Sequence, residues 1–377
     1  MACVREAMHT QRLDTLIASN PAHLNYLTGY DGWSFYVPQC VLISLRLEQP
    51  IWVGRAMNAG AARITTWLDD DNIVGYADDY VQSTSKHPMD CVAQLLHAQG
   101  IDRGHIGVEK DSYYFTAACL EHLRDGLPEA SLEDATTLVG WVRAIKSDAD
   151  LALMRDAARI IDKTMTMAIE KLQPGLRQCD LAAAILASQA SGMHDAGGDY
   201  PAIMPMLPSG VGTSTPHLTW SDATFASGEA TILEIAGVRR HYHCPMSRTV
   251  HLGKPPAKLA DTSKIVVEGL NTDIEAAKPG VRCEQVEAAW GKVIARHGII
   301  KDSRMGYSCG LAHPPDWGEG TLSLRPGDQS ELQIGMTIHV MPGIWMDDWG
   351  VEISECVHIT EQGAQRMCTV PQDLVIK

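Results

Sequence analysis

Glu234 is an acidic residue inside an otherwise apolar run, residues 232–237, which reads ILEIAG. A polar turn at residues 238–241 follows, and the chain then resumes extended sequence in HCPMSRTVHLG, a pattern that predicts a β-hairpin. A carboxylate in such a strand loses its water and needs a cationic or hydrogen-bonding partner. Glu234 would therefore suit a cationic or hydrogen-bonding ligand. The alternative is a strand-end glutamate that faces solvent.

His217 lies in a loop rich in Gly, Ser and Thr, PSGVGTSTPHLTWSD, just before the Glu234 strand. A neutral imidazole can accept a proton from water near neutral pH, and the imidazolium can return it as a general acid. A histidine satisfied within the core is the alternative. His241 and His243 could form a two-residue metal pair on one strand face, but no further ligand follows at a suitable spacing, which disfavours this reading.

Further polar residues occur in the blocks GYSCGLAHPP and GVEISE. Tyr307 is expected either to donate a hydrogen bond to substrate or to pack as an aromatic ring. His313 follows it as a second substrate-side candidate. Glu352, together with Glu355, would meet the cationic face of a substrate or would cap its strand.

An aromatic turn stands near the start of the chain, at residues 29–39, with the sequence GYDGWSFYVPQ. Large aromatic side chains are unusual on an exposed loop, and local packing is the usual explanation. Contact with a ligand is the other explanation. The three residues concerned are Trp33, Phe35 and Tyr36.

Residues 1–140 alternate helical and strand-like patterns, which predicts an α/β domain. We expect helices in MHTQRLDTLIASN and MDCVAQLLHAQGI, and strands in HLNYLTGY, CVLISL, QPIWVG and HIGVEK. A junction follows at WVRAIKSDAD, where Ser147 and Asp150 make a capping box before a long amphipathic helix. The expected domains are therefore residues 1–142 and 143–377.

The second domain contains a short internal sequence repeat, called the internal echo below. QPGLRQCDLAAAI, residues 173–185, resembles KPGVRCEQVEAAW, residues 278–290. Each copy follows a long helix, leads into a second helix, and is succeeded by Gly-rich loops and strands. Two similar halves predict a pseudo-twofold domain, and a cleft at such a junction is a natural ligand site.

Composition narrows the class of protein further. The 377 residues carry a net charge of −15, which argues against nucleic acid as a partner. Ten cysteines are scattered singly, a usage that favours a reducing cytoplasm. The sequence shows neither a secretion signal nor an apolar run long enough to span a membrane. We therefore expect a cytoplasmic globular protein.

These blocks together resemble the pita-bread fold shared by methionine aminopeptidase, aminopeptidase P, prolidase and creatinase. NYLTGY and RAIKSDADLALMRDAA resemble the two-domain, prolidase-like members. The resemblance implies an α/β (α+β) protein, with a creatinase-like N-terminal domain and a pita-bread catalytic domain. It covers nearly the whole chain in several ordered blocks.

The peptidases of that family hold two metal ions with two Asp, one His and two Glu. Anchored on the block PMSRT, those five positions fall here on Glu234, Pro245, Tyr307, Met341 and Ser354. Proline and methionine offer no hard oxygen to a dication. The resemblance therefore implies a site with no metal and no other cofactor.

Within the family, the pattern of these blocks is most similar to the ectoine hydrolases. That resemblance implies hydrolysis of the cyclic amidine of ectoine to N-acetyl-2,4-diaminobutanoate, with hydroxyectoine as a second candidate substrate. It places His217 as general acid and base, and Glu234 as partner of the amidinium or as nucleophile.

The resemblance also implies partners. Phe35 aligns with an aromatic residue that creatinase sends into its neighbour's site, so we expect a homodimer in which the aromatic turn covers the substrate ring. A deacetylase acting beside the enzyme is a candidate partner. Two alternatives remain: a creatinase-like C–N hydrolase of another small zwitterion, although creatinase keeps a histidine where Tyr307 stands, and a catalytically dead pita-bread domain that binds a peptide or protein.

Overall fold

A computed structural model describes all residues, 1–377. It divides into two compact units, Met1–Arg143 and Ala144–Lys377. No helix in it combines the length and the apolar character needed to cross a lipid bilayer.

The first unit is built on a mixed six-stranded sheet with the order β4-β3-β2-β1-β5-β6. Its strands are β1 (Thr15–Ala18), β2 (Cys40–Ser44), β3 (Ile51–Arg55), β4 (Ile73–Tyr76), β5 (Gly104–Val108) and β6 (Ala130–Asp134). Its helices are α1 (Ala2–Thr10), α2 (Pro21–Thr28), α3 (Ala59–Thr65), α4 (Pro88–Ala98), α5 (Ala117–Gly126) and α6 (Leu138–Ala144). The expected α/β alternation is confirmed.

Two expected elements of this unit were wrong. The helix expected over residues 8–20 ends at Thr10, and residues 15–18 form β1, buried between β2 and β5. The strand expected over residues 23–30 is helix α2. Asn20 caps that helix through a hydrogen bond from the Ala22 backbone amide, Pro21 occupies its first turn, and Gly29 ends it at a φ of +84°. These are ordinary helix start and stop signals that the apolar pattern obscured.

The second unit contains four helices and ten strands. The helices are α7 (Asp148–Lys171), α8 (Gln178–Ser191), α9 (Ala257–Ala276) and α10 (Cys283–Ala295). The strands are β7 (Ala230–Arg239), β8 (Tyr242–His251), β9 (Gly306–Cys309), β10 (Gly318–Leu324), β11 (Thr337–Val340), β12 (Gly343–Trp345), β13 (Gly350–Glu352), β14 (Glu355–Thr360), β15 (Gly363–Arg366) and β16 (Val375–Ile376). They form three sheets, ordered β10-β9-β11-β14-β15, β16-β8-β7 and β12-β13.

The internal echo corresponds to two equivalent local structures. Gly175 and Gly280 both have positive φ, +85° and +81°, and their backbone amides donate to Phe225 and Leu332 at 2.9 and 2.8 Å. Arg177 bridges Thr224 just as Arg282 bridges Glu331. The repeated sequence therefore makes the same turn twice, each time joining a long helix to a shorter one.

Helix α7 begins at the expected capping box, in which Ser147 and Asp150 each accept a hydrogen bond from the other's backbone amide. It packs on β7 at Gly237, where a Cβ atom would lie 1.9 Å from the carbonyl oxygen of Ala157. Only glycine permits so close an approach. This contact fixes the strand that carries Glu234 against the longest helix of the unit.

Candidate active site

Glu234 lies in the middle of a long β-hairpin. Strands β7 and β8 pair over ten residues, with Glu234 opposite Ser247, and a two-residue turn at Arg240 and His241 joins them. Both turn residues have positive φ, +45° and +63°, as a tight hairpin turn requires. The expected hairpin is confirmed, with a tighter turn than expected, and Glu234 is only 5% exposed.

A second carboxyl group, Glu352, accompanies Glu234 in the same buried region. It ends β13, which is held to β8 by the Thr249 hydroxyl: that hydroxyl donates to the Glu352 carbonyl at 2.8 Å and accepts from the Glu352 amide at 2.9 Å. Glu352 is 1% exposed. Burial, and then the charge of Glu352, raise the pKa of Glu234 well above its usual range. Burial also raises the pKa of Glu352 to about 7, against the opposing effects of Lys301 and Ser247.

A chain of hydrogen bonds lines the same region. The Trp317 indole donates to the Tyr307 hydroxyl at 2.7 Å, and that hydroxyl lies 3.2 Å from Nδ1 of His339. Nε2 of His339 is 2.7 Å from the Ser354 hydroxyl, which accepts from the Ser247 amide at 2.7 Å. Burial, and then the charge of Arg304, lower the pKa of His339 to about 3. The imidazole is therefore neutral. One of its ring nitrogens donates a hydrogen bond and the other accepts one, which links the Tyr307 and Ser354 hydroxyl groups.

The comparisons with known proteins agree with this fold. Residues 152–361 match the model of the metallopeptidase family M24, and residues 1–145 match that of the creatinase/prolidase N-terminal domain. The chain belongs to the metallopeptidase family M24. The expected creatinase-like and pita-bread domains are thereby confirmed.

Named relatives show how this M24 protein stands within the family. It is similar to the ectoine hydrolase of Halomonas elongata, 45% identical over 99% of this chain and 95% of that protein. It is 24% identical to an Xaa-Pro dipeptidase of Pyrococcus horikoshii, over 79% of this chain and 89% of that protein. The solved structure of the prolidase from Thermococcus sibiricus matches with a TM-score of 0.85 at 19% identity, covering 100% of this chain and 98% of that one. The expected resemblance to ectoine hydrolases is confirmed, and this M24 protein is a hydrolase of C–N bonds.

The residues at the M24 metal positions do not fit a metal ion. Pro245 faces Ala236 across the hairpin and offers no ligand atom. Met341 packs against an apolar cluster that includes Met206 and Trp317. Tyr307 and Ser354 use their hydroxyl groups in the hydrogen-bond chain. Hard dications need several oxygen or nitrogen ligands, and Glu234 alone supplies one.

Of the pair His241 and His243, considered above as metal ligands, His243 is committed to the fold. Nε2 of His243 accepts from the Ala202 amide at 2.9 Å, and Nδ1 donates to the His241 carbonyl at 2.7 Å. Both ring nitrogens of His243 are thus occupied. Burial lowers the pKa of His243 to about 3, which keeps the ring neutral. This histidine ties the hairpin turn to the loop at residue 202.

His217 occupies a different setting from that of Glu234. It sits at a φ of +71° in a loop whose next residues, Leu218 and Thr219, accept hydrogen bonds from the Leu207 amide. The neighbouring Met206 bridges Glu234 through its backbone. The loop therefore runs beside the edge of the Glu234 strand, while the His217 side chain is exposed. The buried imidazole next to Tyr307 is His339.

The other predicted substrate residues fall into three places. His313 is buried with its ring 4.4 Å from that of His241, which lies 4.9 Å from Tyr200. Tyr307 and Glu352 belong to the polar region around Glu234. In the first unit, Phe35 packs between Trp33 and Tyr114, at ring distances of 4.6 and 5.7 Å. Trp33 and Tyr36 are mostly exposed.

Sequence reasoning missed several residues of the region. His339 reads as a strand residue in GMTIHVM, and only the register of β9 with β11 places it opposite Tyr307. Lys301 and Arg304 precede β9 and give no motif. Glu355, suggested above as a substrate contact, instead accepts hydrogen bonds from Arg248 at 2.5 Å and Arg366 at 2.9 Å. It belongs to the scaffold.

Proposed function

We propose that this protein hydrolyses the cyclic amidine ring of ectoine to N-acetyl-2,4-diaminobutanoate without a metal ion. The observation that carries the proposal is the buried carboxyl pair of Glu234 and Glu352 at a family metal site whose other ligand positions hold Pro, Tyr, Met and Ser. The 45% identity to an ectoine hydrolase supports the choice of substrate.

An amidinium is planar and positively charged, so it adds a second positive charge to two carboxyl groups that have Lys301 nearby. Binding of such a cation favours the ionised form of Glu234, because an opposite charge nearby lowers a carboxyl pKa. The ionised carboxylate then accepts charge-assisted hydrogen bonds from the amidinium nitrogens. A neutral substrate would add no positive charge to this pair.

Hydrolysis adds one water to the ring carbon between the two nitrogens and breaks one of its C–N bonds. In the first route, His217 accepts a proton from the attacking water and the imidazolium gives it to the departing nitrogen. In the second, the Glu234 carboxylate bonds to the ring carbon, and one C–N bond breaks as its nitrogen takes up a proton. Water then attacks the same carbon, which frees the Glu234 carboxylate and leaves the acetyl group on the other nitrogen. The exposed position of His217 suits exchange of protons with solvent.

The substrate cover and the assembly belong to the same proposal. Trp33, Phe35 and Tyr36 present an apolar surface, which in a homodimer would cover the ring in the neighbouring subunit and exclude surplus water. Tyr307 and Glu352 would line the ring, with His313 at the margin. We place the enzyme in the cytoplasm, acting on ectoine and, as a second substrate, hydroxyectoine, with a deacetylase as a candidate partner.

The test is turnover of ectoine by purified, chelator-treated protein, followed by NMR of the product. We expect ring opening to survive removal of metal. Glu234→Ala and His217→Ala should each lower kcat by about 100-fold or more with the fold retained, whereas the exposed His194→Ala serves as a matched control. Turnover that requires added manganese or cobalt would overturn the metal-free mechanism. Hydrolysis of another small zwitterion, with ectoine inert, would overturn the substrate.

A further inference from the structure

The proposed substrate has two charged ends, and the residues described so far account for one of them. Ectoine carries a carboxylate on the ring carbon next to an amidine nitrogen, and the acidic pair of Glu234 and Glu352 would repel it. We propose that Arg304 binds the substrate carboxylate and so sets the enzyme's preference for a zwitterion over a simple cation. This assignment rests on the proposed function.

Arg304 lies on the segment that leads into β9, over the ring of the buried Tyr307. The next residue, Met305, is buried; its amide donates to the Leu324 carbonyl at 2.7 Å, and its carbonyl accepts from the Met341 amide at 2.7 Å. The backbone at this point is therefore held between β10 and the block before β12. Arg304 as a whole is an exposed residue.

The guanidinium group is oriented but not neutralised. Its central carbon lies 4.2 Å from the centroid of the Tyr307 ring, and Nη1 donates to the Ser323 hydroxyl at 3.3 Å. No acidic side chain lies within 4 Å of it, unlike most arginines of this unit. An arginine stacked on an aromatic face keeps its planar fork of donors in place, which suits bidentate binding of a carboxylate.

Tyr307 contacts this cation and lies within the electrostatic influence of Glu234. Its ring carries Arg304 on one face, while its hydroxyl is bound to Trp317 and His339. Burial is the largest cause that raises the pKa of Tyr307; the charge of Glu234 adds to it and the charge of Arg304 opposes it. The tyrosine therefore lies within the influence of a negative group and a positive group at once, the arrangement that a small zwitterion would match.

Two other cations of the region are already committed. Lys301 donates to the Gly343 carbonyl at 2.8 Å, lies 4.3 Å from the Trp345 ring centroid, and feels the charge of Glu352. Arg248 is fully buried and makes five hydrogen bonds to the surrounding chain. Lys301 thus compensates Glu352, and Arg248 holds the surrounding backbone and Glu355 in place. Of these three cations, Arg304 is the one that can bind an anionic group of the substrate.

The experiment compares ectoine with 2-methyl-1,4,5,6-tetrahydropyrimidine, the same cyclic amidine without its carboxylate. For Arg304→Met we expect KM for ectoine to rise about 10- to 100-fold, the usual effect of losing a hydrogen-bonded charge. The kinetics of the decarboxylated ring should not change. Arg304→Lys should restore part of the affinity, and Arg325→Met, at another exposed arginine just after β10, should behave as wild type.

Each outcome decides between the two claims. If the wild type hydrolyses ectoine but Arg304→Met retains its KM, the carboxylate site is elsewhere and only this assignment is overturned. If Arg304→Met slows both substrates equally, the arginine has a general structural role and the assignment is also overturned. If the wild type neither binds nor hydrolyses ectoine, as followed by calorimetry and NMR, the proposed function is rejected and this assignment with it.

Discussion

Glu352 and Glu355 stand three residues apart in the sequence EISE, are equally buried, and have opposite surroundings. Glu355 accepts hydrogen bonds from Arg248 and Arg366. Glu352 faces a second carboxyl group, Glu234, and the partly buried Lys301. Burial raises the pKa of both residues, but around Glu355 two guanidinium groups counteract it.

The contrast separates a carboxyl group that two arginines neutralise within the fold from a carboxyl pair that is only partly compensated. Arg248 has no exposed surface. Its guanidinium donates hydrogen bonds to Glu355 and to the backbone carbonyls of residues 247, 354, 370 and 371. The pair of Glu234 and Glu352 has no arginine. Two acids buried together with a single lysine lower stability, and such arrangements concentrate at functional sites.

The largest change in stability should come from removing an arginine that neutralises Glu355. Arg248→Met removes the cation from beside Glu355 and leaves buried carbonyl groups without donors. We expect the free energy of unfolding to fall by about 3–5 kcal/mol, as for other broken buried ion pairs. Chemical denaturation followed by fluorescence measures the change.

Arg366→Met is the matched control for that prediction. Arg366 also donates to Glu355 and to the Val370 carbonyl, but its side chain is about one third exposed and Arg248 remains in place. Its loss should destabilise the protein much less. Equal losses in the two variants would mean that burial of the guanidinium does not distinguish them.

The features that could be predicted from the sequence are those that depend on residues close together along the chain. The hairpin, the capping box at Ser147 and the doubled Pro-Gly turn depend on neighbours within a few residues, and all three occur as expected. Helix α2 was missed because apolar residues in HLNYLTGY suggested a strand, although Asn20 and Pro21 signal a helix start.

The site was harder to predict, because its partners come from distant strands. Tyr307, His339 and Ser354 each look like ordinary strand residues, and only strand register brings them together. Alignment to the family identified Glu234 and the lost ligand positions. It gave no indication of the hydrogen bonds that Tyr307 and Ser354 make with His339, because these bonds have no counterpart in the family's ligand motif.

An intermediate change in stability is expected from removing the charge of Glu352, one member of the partly compensated carboxyl pair. The pKa of Glu352 is raised from the usual 4.5 to about 7, so its ionisation costs folding free energy as pH rises across that interval. Glu352→Gln removes this cost. The variant should match wild type near pH 4 and exceed its unfolding free energy by up to about 3 kcal/mol near pH 8.

The same variant should alter the pH dependence of turnover. Without the negative charge of Glu352, the pKa of Glu234 falls, and Glu234 is ionised at lower pH. The acid limb of the kcat/KM profile should therefore move to lower pH. Glu287→Gln, a half-buried glutamate of α10 whose pKa burial also raises, is the control and should leave the profile unchanged. An unmoved acid limb in Glu352→Gln would show that the two carboxyl groups are not coupled.

The smallest effect should come from Tyr307→Phe, which tests whether the hydrogen-bond chain supports the site or takes part in the reaction. The substitution removes a hydroxyl from between Trp317 and His339 but keeps the ring on which Arg304 lies. Leaving these buried groups without a partner should lower the unfolding free energy by about 1–2 kcal/mol. Because the hydroxyl is already engaged by protein groups, kcat should fall less than about tenfold. A kcat loss of several hundredfold at unchanged stability would instead indicate that the Tyr307 hydroxyl contacts the substrate. The series of hydrogen bonds from Trp317 to Ser354 would then take part in the reaction.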